Sequence, residues 1–445
     1  MKRVAVVGSG ISGLSVAHAL AGEAQVTLYE AGDYFGGHTH TVDVTLDGIT
    51  HGVDTGFLVF NERTYPQLIR LFAELGVETA PSDMSFSVQV PQVGLEWSGS
   101  NLNSVFAQRR NLLRPSFLRM LADVVRFNRL ATGIATRGED AELAEPIGDF
   151  LQRQAFSQPF RDWYFLPMVG CIWSCPTDQM LRFPIGTMIR FCHNHGLIQV
   201  ADRPQWHTVR GGAKHYVQRM LLRVADARLR TPVLAVRRLP PGAGSGGVMV
   251  ATAQGNERYD EVVLASHSDQ SLALLQAGDS AGADERRVLG AIRYHPNTAV
   301  LHTDTAVLPR RRLAWAAWNY ARASDLGREQ AAVCLHYLIN QLQPLPWQQP
   351  VVVSLNPDPA RMPDARQVLG RYDYSHPVFD QAAIEAQRQL PQIQGRSGLW
   401  FCGAWTRYGF HEDGLMSGLA VVDGLRMHWQ RQRAASAPAD QRAAA

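Results

Sequence analysis

Gly8, Gly10 and Gly13 follow the apolar run Val4–Val7 at the spacing Gly-x-Gly-x-x-Gly, and Glu30 closes a second apolar run, Val26–Tyr29. This set grips a dinucleotide. Gly8 permits a tight turn after the first strand, Gly10 lets backbone approach a diphosphate, and Gly13 lets the following helix lie close on the sheet. That helix starts near Ile11 and Ser12 and aims its free amides and positive dipole end at the phosphates. The carboxylate of Glu30, about 20 residues on, accepts from ribose hydroxyls and repels a 2′-phosphate, which disfavours NADP. A second glycine run, Gly242–Gly247, follows Pro240-Pro241 rather than a strand and precedes Val248-Met249-Val250, so it reads as a hairpin loop.

Proton chemistry has fewer candidates. His411 sits in a glycine-flanked loop ahead of a C-terminal helical pattern, and Tyr320 carries a polar tip within the apolar run Trp318-Asn319-Tyr320. Both are candidate catalytic groups, with His302 and His376 behind them. A second reading of His411 is a loop histidine that helps to hold a cofactor. Glu412 and Asp413 can cap the helix that follows. Trp318-Asn319-Tyr320 is a better pocket candidate than Trp163 or Trp173, whose simpler reading is core packing.

The elements that must position these groups come in separated blocks. Nucleotide-binding signals occupy residues 1–60, 206–275 and 396–430, and the segments 61–205 and 276–395 between them are helical, aromatic and strand-rich. Gly36-Gly37, six residues past Glu30, point to FAD as the dinucleotide, so the expected fold class is α/β: a Rossmann-like FAD-binding domain assembled from three chain segments, with an interleaved α+β substrate (cap) domain. Residues 431–445 read as a disordered tail. The chain has 445 residues, too many for one ordinary core, and its 46% hydrophobic and 19% charged content is that of a globular protein. A net charge of +3 gives no pull toward nucleic acid.

Five cysteines, at 171, 175, 192, 334 and 402, lack the spacing of a disulfide framework or of a metal site, so no metal is expected. Cys402 reads as a core residue rather than a flavin tether. With a first strand beginning beside Met1 and no apolar stretch long enough to span a bilayer, the expectation is a cytoplasmic protein. Residues 103–130 alternate arginine with leucine and phenylalanine. Two readings stay open for this basic amphipathic helix: a solvated face of the cap, or a peripheral contact with the inner face of a membrane that gates lipid access.

With Gly36-Gly37 just beyond Glu30, Gly211-Gly212, and the C-terminal Gly403, Gly414 and Ser417-Gly418, the chain resembles the FAD-dependent amine oxidase and phytoene desaturase superfamily over most of its length. Strings such as Val53-Asp54-Thr55-Gly56-Phe57 and Tyr408-Gly409-Phe410-His411-Glu412-Asp413-Gly414 resemble a bacterial subgroup of FAD-binding oxidoreductases associated with cyclopropane and methyl-branched fatty acid metabolism.

The resemblance implies FAD as cofactor, held by Gly36, Gly37, Thr55, Gly56 and Gly403, by backbone at Val233 against adenine, and by the helix start Asp413, Gly414, Leu415 and Met416 beside the flavin's pyrimidine edge. His38 stands where many relatives have a diphosphate-binding arginine, and Ala404 where many have an acid. The implied reaction is hydride removal from a substrate C–H bond. Many amine oxidases of the superfamily place a lysine on the strand matching Asn297–Leu301, but this chain has no lysine after Lys214. The missing lysine disfavours amine chemistry, the Trp-rich and Met-rich segments suit an apolar C–H substrate, and the subgroup resemblance implies a fatty-acyl or lipid-like one. An amine oxidase of the same fold, a flavin-binding scaffold without turnover and a nicotinamide enzyme are the rival readings, and the electron acceptor stays unassigned.

Overall fold

A computed structural model describes residues 1–139, 143–173, 177–199, 203–240, 246–323 and 333–436. Cys175, residues 242–245 of the hairpin loop and residues 437–445 of the tail lie outside it.

The first strand, Arg3–Val7, is buried from Val4 onward and is central in a five-stranded parallel sheet. Gln25–Tyr29 and Asp226–Arg228 lie on one side of it, Glu261–Leu264 and Leu399–Phe401 on the other. The sheet thus takes strands from three distant stretches of chain, each a short run of apolar residues that suits burial on both faces. Helix Ile11–Leu20 packs on it, with the C-terminal helix His411–Ser436 lying against that helix. Glycines make this contact: a Cβ at Gly418 would stand 2.1 Å from Ser15 Oγ. The helix continues through residues 431–436, which corrects the expected start of the tail.

A seven-stranded mixed sheet faces the parallel one. Its order is Val368–Val378, Arg293–His302, Val352–Leu355, Cys334–Leu338, Trp318–Ala321, Phe86–Val90 and Leu95–Ser98. Helices between 115 and 194 cover its far end, with Phe117, Phe127, Phe160, Phe165 and Ile189 fully buried among them. Residues 103–130 are not one helix. A helical turn Leu102–Val105 and a 3-10 turn Arg109–Leu113 precede helix Pro115–Arg137. Pro115 lacks an N–H and biases Arg114 out of helical geometry, so the long helix starts there. Its apolar face, including Phe117, Met120 and Phe127, is spent on the core.

Among the described residues no helix is long and apolar enough to cross a membrane, and no group of three or more His, Cys, Asp or Glu could hold a metal ion.

Candidate functional site

A cavity of about 500 Å³ opens where the carboxyl ends of the parallel strands face the mixed sheet. This is the crevice in which open α/β sheets bind ligands. At one end it is lined by Gly8, Ser9, Gly10, Ile11, Ser12, Glu30, Gly36 and Gly37, with Gly56 and Gly403 nearby.

The N-terminus of helix Ile11–Leu20 is capped by Gly10 with no side-chain hydrogen bond and no acid in the first turn, which leaves its amides for an anion. A Cβ at Gly13 would sit 1.9 Å from Gly8 O, so only glycine allows the turn to close this way, whereas a Cβ at Gly10 would meet nothing within 4 Å. The backbone therefore leaves open space where the phosphates are expected. Glu30 accepts from Ser9 N at 3.0 Å and Gly32 N at 2.8 Å, which fixes its carboxylate at the cavity wall.

Three histidines close this end. His38 lies with its ring centroid 5.3 Å from that of His376 and 6.3 Å from that of His267. All three line the cavity. Asn297 Nδ2 bonds His376 Nδ1 at 3.0 Å, and Tyr294 stacks on His267 at 4.3 Å. His38 Nε2 is buried with no hydrogen-bond partner. Burial pushes His38 and His267 down to about 4 and His376 to about 3, with neighbouring histidines lowering His38 and His376 further. The orphaned Nε2 of His38 is a buried polar atom that a diphosphate oxygen can satisfy when that nitrogen carries the ring's proton. The residues present fit a dinucleotide diphosphate.

His411, the first residue of the C-terminal helix, lines the cavity. Its ring stacks on Phe57 at 3.9 Å, and its Nε2 lies 2.7 Å from the hydroxyl of Tyr216. That hydroxyl also bonds Thr39 Oγ1. Burial, with a smaller effect from His38, pushes His411 down to about 3, so the ring is neutral at pH 7. Glu412 accepts from Gln67 N and Leu68 N, capping helix Pro66–Leu75 rather than facing the cavity.

Several expected contacts are not in the cavity lining. Tyr320 is fully buried in the mixed sheet, and its strand neighbour Trp318 lines the cavity instead. Trp173 does so too, whereas Trp163 does not. His302 is held by Ser354 Oγ at 2.7 Å within the sheet. The Thr55 hydroxyl is taken by His40 Nδ1 at 2.7 Å and Tyr374 OH at 2.8 Å. Val233 begins a separate three-stranded antiparallel sheet and pairs with Thr252 beside a register shift. Asp413 accepts from Phe410 N at 3.0 Å, Gly414 packs on Ile11, and Leu415 is buried in the core. Met416, one position further along that helix, is likewise not in the lining. Cys402 is buried, with its thiol pushed up by burial.

Apart from Trp318, the far end of the cavity is not legible in the sequence. Leu58, Met84, Phe86, Met168, Ile172, Trp173, Phe191, Trp206 and Trp318 line it. Among the described residues that line the cavity, Glu30 is the only Asp, Glu, Lys or Arg. Trp318 Nε1 is buried without a hydrogen-bond partner.

A family model described as flavin containing amine oxidoreductase matches residues 11–319. No curated protein matches the chain. Among solved structures, a fatty acid isomerase from P. acnes that produces CLA is 14% identical with a TM-score of 0.65, covering 95% of this chain and 98% of its own. Cyclohexylamine oxidase from Brevibacterium oxydans is 16% identical with a TM-score of 0.65, covering 96% and 99%. A redesigned putrescine oxidase is 15% identical with a TM-score of 0.67, with the same coverage. At such identities the likeness is one of fold.

Proposed function

From the premise that this chain belongs to the flavin containing amine oxidoreductase family, we propose that its substrate is an apolar C–H donor, fatty-acyl or lipid-like, which it desaturates or dehydrogenates. The chain is an FAD-dependent oxidoreductase. FAD, when bound, supplies the electron-accepting chemistry, and the protein supplies binding, orientation and electrostatics.

In this reading residues 1–60, 206–275 and 396–430 hold the cofactor, and 61–205 with 276–395 form the substrate side. Glu30 takes the ribose, and the amides of Gly10–Ser12 and Gly36-Gly37 take the diphosphate beside His38. His411 receives the proton that leaves the substrate carbon. The Tyr216 hydroxyl fixes one ring nitrogen of His411, so the other, Nδ1, is the acceptor when Nε2 carries the proton.

The single observation that carries the substrate class is the charge of the cavity. A protonated amine would need a carboxylate or an equivalent partner at the reacting end. The one acid among the described lining residues, Glu30, stands at the nucleotide end and is bonded to Ser9 and Gly32. A long alkyl chain asks for the apolar wall that Met168, Trp173, Phe191 and Trp318 provide.

The test is lipid mass spectrometry of cells with and without the protein, beside a peroxide assay over a panel of primary amines and polyamines. The expected result is a two-dalton shift in a fatty-acyl species, as removal of two hydrogens requires, and silence with amines. Unchanged lipids together with peroxide from an amine would overturn the reading in favour of amine oxidation.

A further inference from the structure

The chain carries no Asp or Glu between Trp97 and Ala122, nor between Thr305 and Ser324. The fold brings these two stretches together. The edge strand Leu95–Ser98 holds both: Glu96 accepts from Arg310 N at 3.1 Å and Arg311 N at 3.2 Å, while its own N–H donates to Gln108 Oε1 at 3.1 Å. The helical turn Leu102–Val105 packs against the turn Arg312–Ala314. The result is one surface with leucines standing out of it. Leu113 is 88% exposed, Leu102 78%, Leu313 52% and Leu112 50%. Around them Arg109, Arg110 and Arg310–Arg312 are exposed, and among the described residues none of these arginines is in an ion pair.

We propose that this three-turn surface docks the protein on an anionic lipid bilayer, with the leucines entering the headgroup boundary and the arginines meeting lipid phosphates. The chemistry of the patch selects this occupant. Exposed leucines gain nothing from a nucleic-acid backbone, and exposed arginines without ion pairs, outnumbering the single acid Glu96 that backbone amides hold, are complementary to an anionic surface. The amphipathic helix Pro115–Arg137 is not the docking element, because its apolar face is already buried. The inference is independent of the substrate assignment, since no residue of the patch lines the cavity.

The test is co-sedimentation of the flavin-loaded protein with phosphatidylcholine vesicles, with and without phosphatidylglycerol. Binding is expected with phosphatidylglycerol, weakened in about 1 M salt, where the screening length is about 3 Å. Leu112→Ser with Leu113→Ser should lower the partition by about tenfold or more, as loss of two buried leucines implies. Leu313→Ser, from the turn Arg312–Ala314, should lower it as well. Unchanged flavin absorbance and melting temperature in these variants exclude misfolding as the cause. Absence of binding to phosphatidylglycerol vesicles, binding that ignores the leucines, or a leucine-dependent dimer in solution would each overturn the proposal.

Discussion

The hydroxyl of Tyr216 lies 2.7 Å from Nε2 of His411, and Thr39, three residues past Gly36, bonds the same hydroxyl. The glycine turn on the cofactor side is thereby linked through one phenol to the candidate base. Tyr216 is fully buried, and burial raises its ionisation well above the usual phenol range, so it acts as a neutral hydrogen-bond partner. His411→Asn should lower kcat by about 10²–10⁴, the usual contribution of a positioned proton acceptor. Tyr216→Phe should lower it by about tenfold with KM unchanged, as expected for a positioning residue worth one hydrogen bond. Both variants should keep full flavin absorbance. Loss of flavin in step with loss of rate would reassign His411 to cofactor binding.

His38 presents the opposite case, a ring nitrogen with no partner at all. If Nε2 meets a phosphate oxygen of FAD, His38→Ala should weaken FAD binding by about 10–100-fold, the range of one hydrogen bond to a charged group. Titration of flavin-free protein with FAD, followed by quenching of flavin fluorescence, measures this directly. An unchanged dissociation constant would place the diphosphate on backbone amides alone.

The same histidines predict a pH dependence of stability. His38, His267 and His376 titrate near an ordinary 6.5 in the unfolded chain but only near 3–4 when folded, because burial disfavours their charged forms. Between these limits the unfolded chain holds more protons, so stability is complete above pH 6.5 and is lost as pH falls toward 4. Asp54, raised to about 7, and Asp413, raised to about 6, both by burial, act in the other direction over part of that window. The histidine contribution is therefore the difference between the wild type and a His38→Asn, His376→Asn variant. Flavin-free wild-type protein should lose more melting temperature than this variant between pH 6.5 and 5, and FAD should reduce the loss because its diphosphate favours the protonated rings. Parallel melting curves for the two proteins would show that the rings are not titrating as described.

What could be read in advance follows from how local each signal is. Strand, glycine turn, helix, strand and Glu30 lie within 30 residues, and each has its own physical signature, so they were legible. The histidine cluster joins positions 38, 267 and 376, which share no local pattern and meet only because the two sheets face each other. Tyr216 reads in sequence as one more apolar residue on an amphipathic helix, since its hydroxyl has meaning only through His411. Residues 103–130 look like one helix by periodicity, yet Pro115 divides them and turns leucines 112 and 113 outward. Tyr320 carries a polar tip within its apolar run, whereas the cavity takes Trp318 two residues earlier on the same strand.

Trp318 gives the sharpest test of what enters the cavity. Its indole pairs across the strands with Tyr337, the rings meeting edge to face at 4.8 Å, and both side chains line the apolar end. The buried Nε1–H has no partner, and such a donor costs stability unless a ligand satisfies it. An acyl ester carbonyl is the acceptor that the proposed substrate class would bring. Trp318→Phe keeps the aromatic wall and deletes the donor, so KM for an acyl ester should rise by about fivefold to tenfold, equivalent to roughly 1 kcal/mol, with kcat little changed. For a pure alkane of the same length the variant should match the wild type. Equal KM changes for ester and alkane would show that the indole serves packing alone, and the carbonyl contact would then have to be abandoned.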